Sequence, residues 1–353
     1  PQFSMEGKPY HPFDGDGMVH AIQITDSGCK YWCRYVETKR LLSDRERGTS
    51  YAELAEQLNN RNQSTKELFH KLQTTLDSKG HRMGKANTSL LYYMNRLFAL
   101  EESDLPYEIN PHTLETVGQY EKFPTLSRSF TAHPCICPRT KELFYCGYSV
   151  LPHEPNLYYG VVTEQGKTRS LVEIPMEIPT MIHDMTITNK HVILLDSRFQ
   201  FHREKIVSSE NPWSHDRTEL SRLGIIPRYC QSGEECIWIP IKPCFVFHFV
   251  NAWEIDENRI IIYGCRKPFI NLQFEPTQFP LMYRWIVNLH TKTCDWEESM
   301  GHEWVEFPII NHHYLGTRCQ YLYACELSIT HTANSILKYD TNVNEAIQAY
   351  YFH

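Results

Sequence analysis

Short apolar runs recur along almost the whole chain, and turn-forming residues break nearly every one of them. Residues 17–24, 30–36, 90–93, 191–195 and 259–263 are short runs in which β-branched, aromatic and other apolar side chains predominate. Gly, Asn, Asp and Pro stand between them. Such runs are short for helices and carry the side chains that pack well on a pleated surface, so they read as strands. Residues 254–259, Glu-Ile-Asp-Glu-Asn-Arg, lie between two apolar runs and read as the turn of a hairpin. Aromatic residues make up 13% of the chain, which suits packed sheets. A chain of 353 residues is long enough for two domains of average size, but all-β folds run long as single domains. The pattern predicts one all-β domain over residues 1–353, a sandwich, barrel or propeller.

One stretch departs from this. Residues 50–79 are polar, lack glycine, and are rich in Ala, Leu, Glu, Gln and Lys. Leu54 and Leu58 are four apart, as are Leu72 and Leu76, which is helical spacing. The stretch is predicted to be a helical insertion that caps the strands, because its apolar face is thin. A lid or a membrane-docking element is the alternative.

Three histidines interrupt apolar runs. They are His133 in Phe130-Thr131-Ala132-His133-Pro134, His183 in Met181-Ile182-His183-Asp184, and His248 in Phe245-Val246-Phe247-His248-Phe249-Val250. Each run reads as a buried strand carrying one imidazole inward. Buried imidazoles need partners, and convergent ones often hold a metal. A single histidine of this kind is more often structural, and fifteen others in the chain raise the odds of coincidence. His11, His312 and His313 sit in polar, turn-like surroundings. The three are 50 and 65 residues apart. A propeller blade takes about 40–50 residues, so one histidine per blade would bring all three to a common axis. No internal repeat is visible.

The metal stays open on the residues alone. Three neutral imidazoles and a water suit catalytic zinc, and imidazole suits iron, copper and nickel as well. Metal-bound histidines need an acceptor behind them. Glu306, in Trp304-Val305-Glu306-Phe307-Pro308, is one candidate, and either Glu101 or Glu102 is another.

Several function classes are disfavoured. The net charge is −7 and no Lys/Arg block occurs, which argues against a nucleic-acid surface. No apolar stretch approaches the ~18–20 residues of a membrane span. The first residues are polar and begin with Pro1, so no leader is visible there. Twelve cysteines are scattered without a Cys-x-x-Cys pair and read as free thiols of a reducing compartment.

A set of motifs then narrows the reading. Phe13-Asp14-Gly15-Asp16-Gly17-Met18-Val19-His20 is followed by Ala86-Asn87-Thr88 and Leu105-Pro106-Tyr107. Next come Thr131-Ala132-His133-Pro134, Met181-Ile182-His183-Asp184 and Leu223-Gly224-Ile225-Ile226-Pro227-Arg228. Phe247-His248-Phe249-Val250-Asn251-Ala252-Trp253-Glu254 and Glu306-Phe307-Pro308-Ile309-Ile310-Asn311 close the series. In this order they resemble the carotenoid cleavage oxygenases, most closely the plant-type enzymes acting on carotenoids or apocarotenoids.

The resemblance implies a seven-bladed β-propeller with Fe(2+) on its axis, held by four histidines. It makes His133, His183 and His248 three of them, and places Glu102 rather than Glu101, together with Glu306, behind the ligands. It implies a dioxygenase that uses O2 to cleave a conjugated double bond of a carotenoid or apocarotenoid into two carbonyl products. The fourth histidine and a further glutamate are expected beyond residue 353, since His353 is not taken as that ligand. The propeller is accordingly expected to be incomplete in this chain and the ends truncated. A non-catalytic apocarotenoid-binding or interaction propeller is the alternative, and retinoid isomerisation on the same scaffold a weaker one. The expected location is cytoplasmic, with the plastid as alternative. Peripheral membrane contact is compatible with the pattern.

Overall fold

The computed structural model describes residues 15–48, 82–151, 153–202, 205, 213–270, 279–328 and 332–352. The insertion predicted at residues 50–79 lies outside them. Among the described residues the architecture is all-β, apart from one short helix and isolated single turns.

The strands come as consecutive antiparallel meanders. A hairpin of β1 (Met18–Thr25) and β2 (Gly28–Tyr35) opens the described chain. Helix α1 (Lys39–Arg47) follows, where Thr38 caps the N-terminus by accepting the Leu41 N–H at 3.1 Å. Gly48 ends it at φ 69°, the left-handed conformation that glycine adopts without cost. Next is a four-stranded sheet of β3 (Ser89–Tyr93), β4 (Arg96–Leu100), β5 (Tyr107–Ile109) and β6 (Thr116–Gln119). The second contains β7 (Cys135–Ile136), β8 (Leu143–Tyr148), β9 (Leu157–Val162) and β10 (Thr168–Glu173).

The third sheet begins with β11 (Thr186–Ile187) and β12 (His191–Asp196). A small hairpin, β13 (Phe199–Phe201) with β14 (Trp213–His215), then interrupts it. The sheet resumes with β15 (Ser221–Pro227) and β16 (Ile237–Ile241). The last seven strands form one hydrogen-bonded ladder: β17 (Phe245–Glu254), β18 (Arg259–Lys267), β19 (Leu281–Asn288), β20 (Thr293–Ile309), β21 (Tyr321–Leu327), β22 (Ala333–Asp340) and β23 (Glu345–Tyr351). That ladder is two meanders joined by β20. Residues up to Trp304 pair with β19, whereas Val305, Glu306 and Ile309 pair with β21.

Period-2 alternation decides how these sheets pack. Val192 and Leu194 of β12 enter one core, while Ile193 and Leu195 enter another. In β8, Phe144 and Cys146 face the first of those cores, and Leu143 and Tyr145 face a third. In β18, Ile261 and Tyr263 take one side, and Ile260 and Ile262 the other. Successive side chains point to opposite faces of a strand. A strand apolar at every position must therefore lie between two apolar neighbours. That is why the residues of β9 are all buried. Each inner sheet is thus sandwiched between the sheets before and after it.

Two of the histidine runs differ from the sequence reading. His248 lies in a strand, but His133 and His183 lie in the irregular segments just before β7 and β11. Pro134 has no N–H to give a ladder, and the His133 N–H donates to Thr131 Oγ1 at 3.1 Å. After His183, the Met185 N–H donates to Asp184 Oδ1 at 2.7 Å. Side chains have taken the donors that a strand needs. All twelve cysteines are free thiols. No helix among the described residues is long and apolar enough to cross a membrane.

Candidate metal centre

The first strands of successive meanders converge on one point. His133 precedes β7, His183 precedes β11, and His248 lies within β17, so each comes from the leading edge of its own sheet. At His248 the β17–β18 register shifts between Val246 and Phe249. A bulge of this kind redirects a side chain out of the regular alternation.

The three imidazoles form a tight group. Ring centroids are 4.7 Å apart for His133 and His183, 5.0 Å for His133 and His248, and 5.3 Å for His183 and His248. Nε2 of His133 lies 3.2 Å from Nε2 of His183, and one nitrogen from each ring lies within 4.8 Å of the others. Two imidazoles bound about 2.0–2.1 Å from one tetrahedral ion place their nitrogens about 3.4 Å apart. The donor set therefore fits a single metal ion. Among the described residues the group consists of these three.

Carboxylates set two of the rings. The Nδ1–H of His183 donates to Glu102 Oε2 at 3.0 Å, and that of His248 donates to Glu306 Oε2 at 2.6 Å. A carboxylate only accepts, so Nδ1 carries the proton and Nε2 keeps its lone pair toward the centre. Glu306 is buried and its Oε2 also accepts the Phe307 N–H at 2.7 Å. Glu102 hydrogen-bonds Tyr148, whose phenol burial pushes well above its ordinary range. Glu101 turns away, accepting the Lys85 N–H and the Ser103 N–H, each at 3.2 Å.

The electrostatics differ from ring to ring. Burial, reinforced by His183 and His248, pushes His133 down to about 2, so its imidazole is neutral. Burial also opposes the charged form of His248, but the hydrogen bond and charge of Glu306 outweigh it and leave a net upward shift. Burial raises Asp184 to about 6.

Aromatic rings wall the group. Phe247 lies 5.1 Å from His183 and Phe307 lies 5.7 Å from His248, centroid to centroid. Phe307 has φ 54°, a left-handed backbone that is costly for a bulky residue and is held here beside the site. A cavity of about 590 Å³ adjoins the group, lined in part by Leu91, His133, Asp184, Phe249, Val250 and Ile309.

Asp184, Tyr148 and Phe307 join the three histidines and the glutamates as site residues not singled out by the sequence. Asp184 carried a usable signal, a carboxylate next to a candidate ligand. Phe307 carried the same kind of signal, lying next to Glu306, whereas Tyr148 carried none, because it and Glu102 come from separate sheets.

The family model described as "Retinal pigment epithelial membrane protein" matches residues 1–352. The carotenoid 9,10(9',10')-cleavage dioxygenase 1 of Arabidopsis thaliana is 32% identical over 347 residues, covering 94% of this chain and 63% of that protein. The protein of the same name from Phaseolus vulgaris is 31% identical over 345 residues, with the same two shares. The chain thus spans less than two thirds of the length of these relatives. The solved structure of Pseudomonas brassicacearum lignostilbene dioxygenase has the same fold, with a TM-score of 0.80 at 20% identity, over 97% of this chain and 73% of that one.

Proposed function

The chain belongs to the family of the retinal pigment epithelial membrane protein, and on that premise we propose that it works as a non-haem iron(II) dioxygenase. Its substrate on this reading is a carotenoid or apocarotenoid. One conjugated double bond and one O2 become two carbonyl groups. The observation that carries the reading is the convergence of His133, His183 and His248, two of them backed by Glu102 and Glu306. The successive four-stranded meanders support a single seven-bladed propeller as the scaffold, of which this chain supplies part.

Iron(II), when bound, supplies the redox chemistry that lets O2 react with a conjugated double bond. The chain's own residues do the rest. Glu102 and Glu306 hold the Nδ1 protons and aim two Nε2 lone pairs inward. His133 stays neutral and so remains a competent ligand. Phe247, packed against His183, and the exposed ring of Phe307, beside His248, offer apolar faces to a polyene. Alignment of one double bond beside the metal is the principal task of such walls. The twelve free thiols suit a reducing compartment, the cytoplasm or a plastid.

Metal analysis and product identification test this reading together. The protein should hold stoichiometric iron and release aldehydes from at least one member of a carotenoid and apocarotenoid panel. His183→Ala should lose both. Stoichiometric iron with full cleavage in H183A overturns the assignment. The second reading is polyene binding without catalysis. Polyene binding without iron or cleavage favours it.

A further inference from the structure

β18 ends in a lysine that the chemistry above does not use. Lys267 pairs across the ladder with Phe245. Its Nζ lies 4.6 Å from the centroid of Phe247 and 5.6 Å from that of Phe245. Phe199, Phe245 and Ile270 form a small core there, with Met181, Trp213 and Phe247 packed on it. Phe247 is the ring that also meets His183 at 5.1 Å. One phenyl ring therefore separates the lysine from the histidine group.

The amine has no acidic partner within ion-pair distance among the described residues. Burial lowers it to about 8, and the Glu306 carboxylate opposes that only as a more distant charge. His215, on β14, is itself depressed, mainly by burial and in small part by the charge of Lys267, so it offers no neutralisation. A surface lysine extends its ammonium into water. This one lies against aromatic faces, which attract a cation but accept no ordinary hydrogen bond. An ammonium so placed is best satisfied by an anion that arrives with an otherwise apolar ligand.

We propose that Lys267 receives the carboxylate end of an apolar conjugated chain, so that the site selects an acid-ended polyene over a neutral one. The inference rests on the polyene-cleavage reading and deepens it. The acidic end would lie one ring's width from the histidines, which places the presented double bond near that end of the chain rather than at its middle.

Equilibrium binding of two probes tests this on the whole chain. All-trans-retinoic acid and its methyl ester differ in the carboxylate alone, and tryptophan fluorescence quenching reads both. The chain should bind the acid about tenfold or more tightly than the ester, the gain of one charge-assisted hydrogen bond. Lys267→Arg should keep the preference, and Lys267→Met should bring the ratio to about one. Lys267→Gln is a second neutral variant if K267M does not fold. A ratio near one in the unmutated chain, or an unchanged ratio in the folded neutral variant, overturns this inference while ester binding leaves the polyene reading standing. Binding of neither probe overturns both.

Discussion

Asp184 and Phe249 are joined by a hydrogen bond in which the Phe249 N–H donates to Asp184 Oδ2 at 2.7 Å. The other oxygen of Asp184 accepts from Met185, also at 2.7 Å. One half-buried carboxylate thus ties the segment carrying His183 to the strand carrying His248. It touches neither imidazole nitrogen, and it positions both rings through the backbone.

Asp184→Ala should therefore weaken metal binding by about 10–100-fold, the usual cost of losing a supporting partner. Asp184→Asn should also weaken it, since an amide nitrogen would face a backbone N–H. Competition for the metal with a chelator of known affinity measures both. Unchanged affinity in D184A would mean that the bond organises β17 alone.

The carboxylates behind the rings should separate cleanly. Glu102→Ala and Glu306→Ala each leave an Nδ1–H without its acceptor, and each should lower metal affinity by about 10–100-fold. Glu101→Gln should leave affinity within about twofold, because Glu101 bonds Lys85 and Ser103 instead. Equal losses in E101Q and E102A would contradict the geometry.

Much of this was legible in the sequence, and the limits have physical causes. β12 and β18 stand out in the sequence because runs of Val, Ile and Leu fill them and each follows a turn that contains Asn. The choice between Glu101 and Glu102 is not a matter of period: both follow β4 in a turn, where alternation no longer applies. His133 and His183 look like strand residues, yet Thr131, Pro134 and Asp184 remove or capture the ladder donors around them. Lys267 sits at the end of an ordinary strand, and only the meeting of β18 with Phe247 and Phe245 makes its place unusual.

The sandwiched sheets predict how core substitutions combine. Ile193 and Leu194 are adjacent and fully buried, but they enter different cores. Ile193→Ala and Leu194→Ala should each cost about 2–5 kcal/mol. Because the two side chains share few partners, the double variant should fall within about 0.5 kcal/mol of their sum. Urea unfolding of the four proteins closes the cycle. A coupling well above that value would show that strain passes through the strand from one core to the other.

The turn between β11 and β12 should make the fold acid-sensitive in a defined window. Glu254 of β17 accepts the Lys190 N–H at 2.9 Å, the Asn189 N–H at 3.1 Å and the His191 Nδ1–H at 3.3 Å, and also the Thr188 hydroxyl. Burial alone would raise its carboxyl, but these bonds outweigh it and bring it from 4.5 down to about 2. The folded state therefore binds this proton more weakly than the unfolded state. The stabilisation is complete above about 4.5 and is lost as the pH falls toward about 2. Glu254→Gln keeps the shape but not the charge, and should cost about 1–3 kcal/mol at neutral pH. Its melting temperature should also fall less steeply than that of the unmutated protein between pH 5 and pH 3, the range in which the missing group would have titrated. Parallel melting profiles in that range would place the acid sensitivity on other carboxylates.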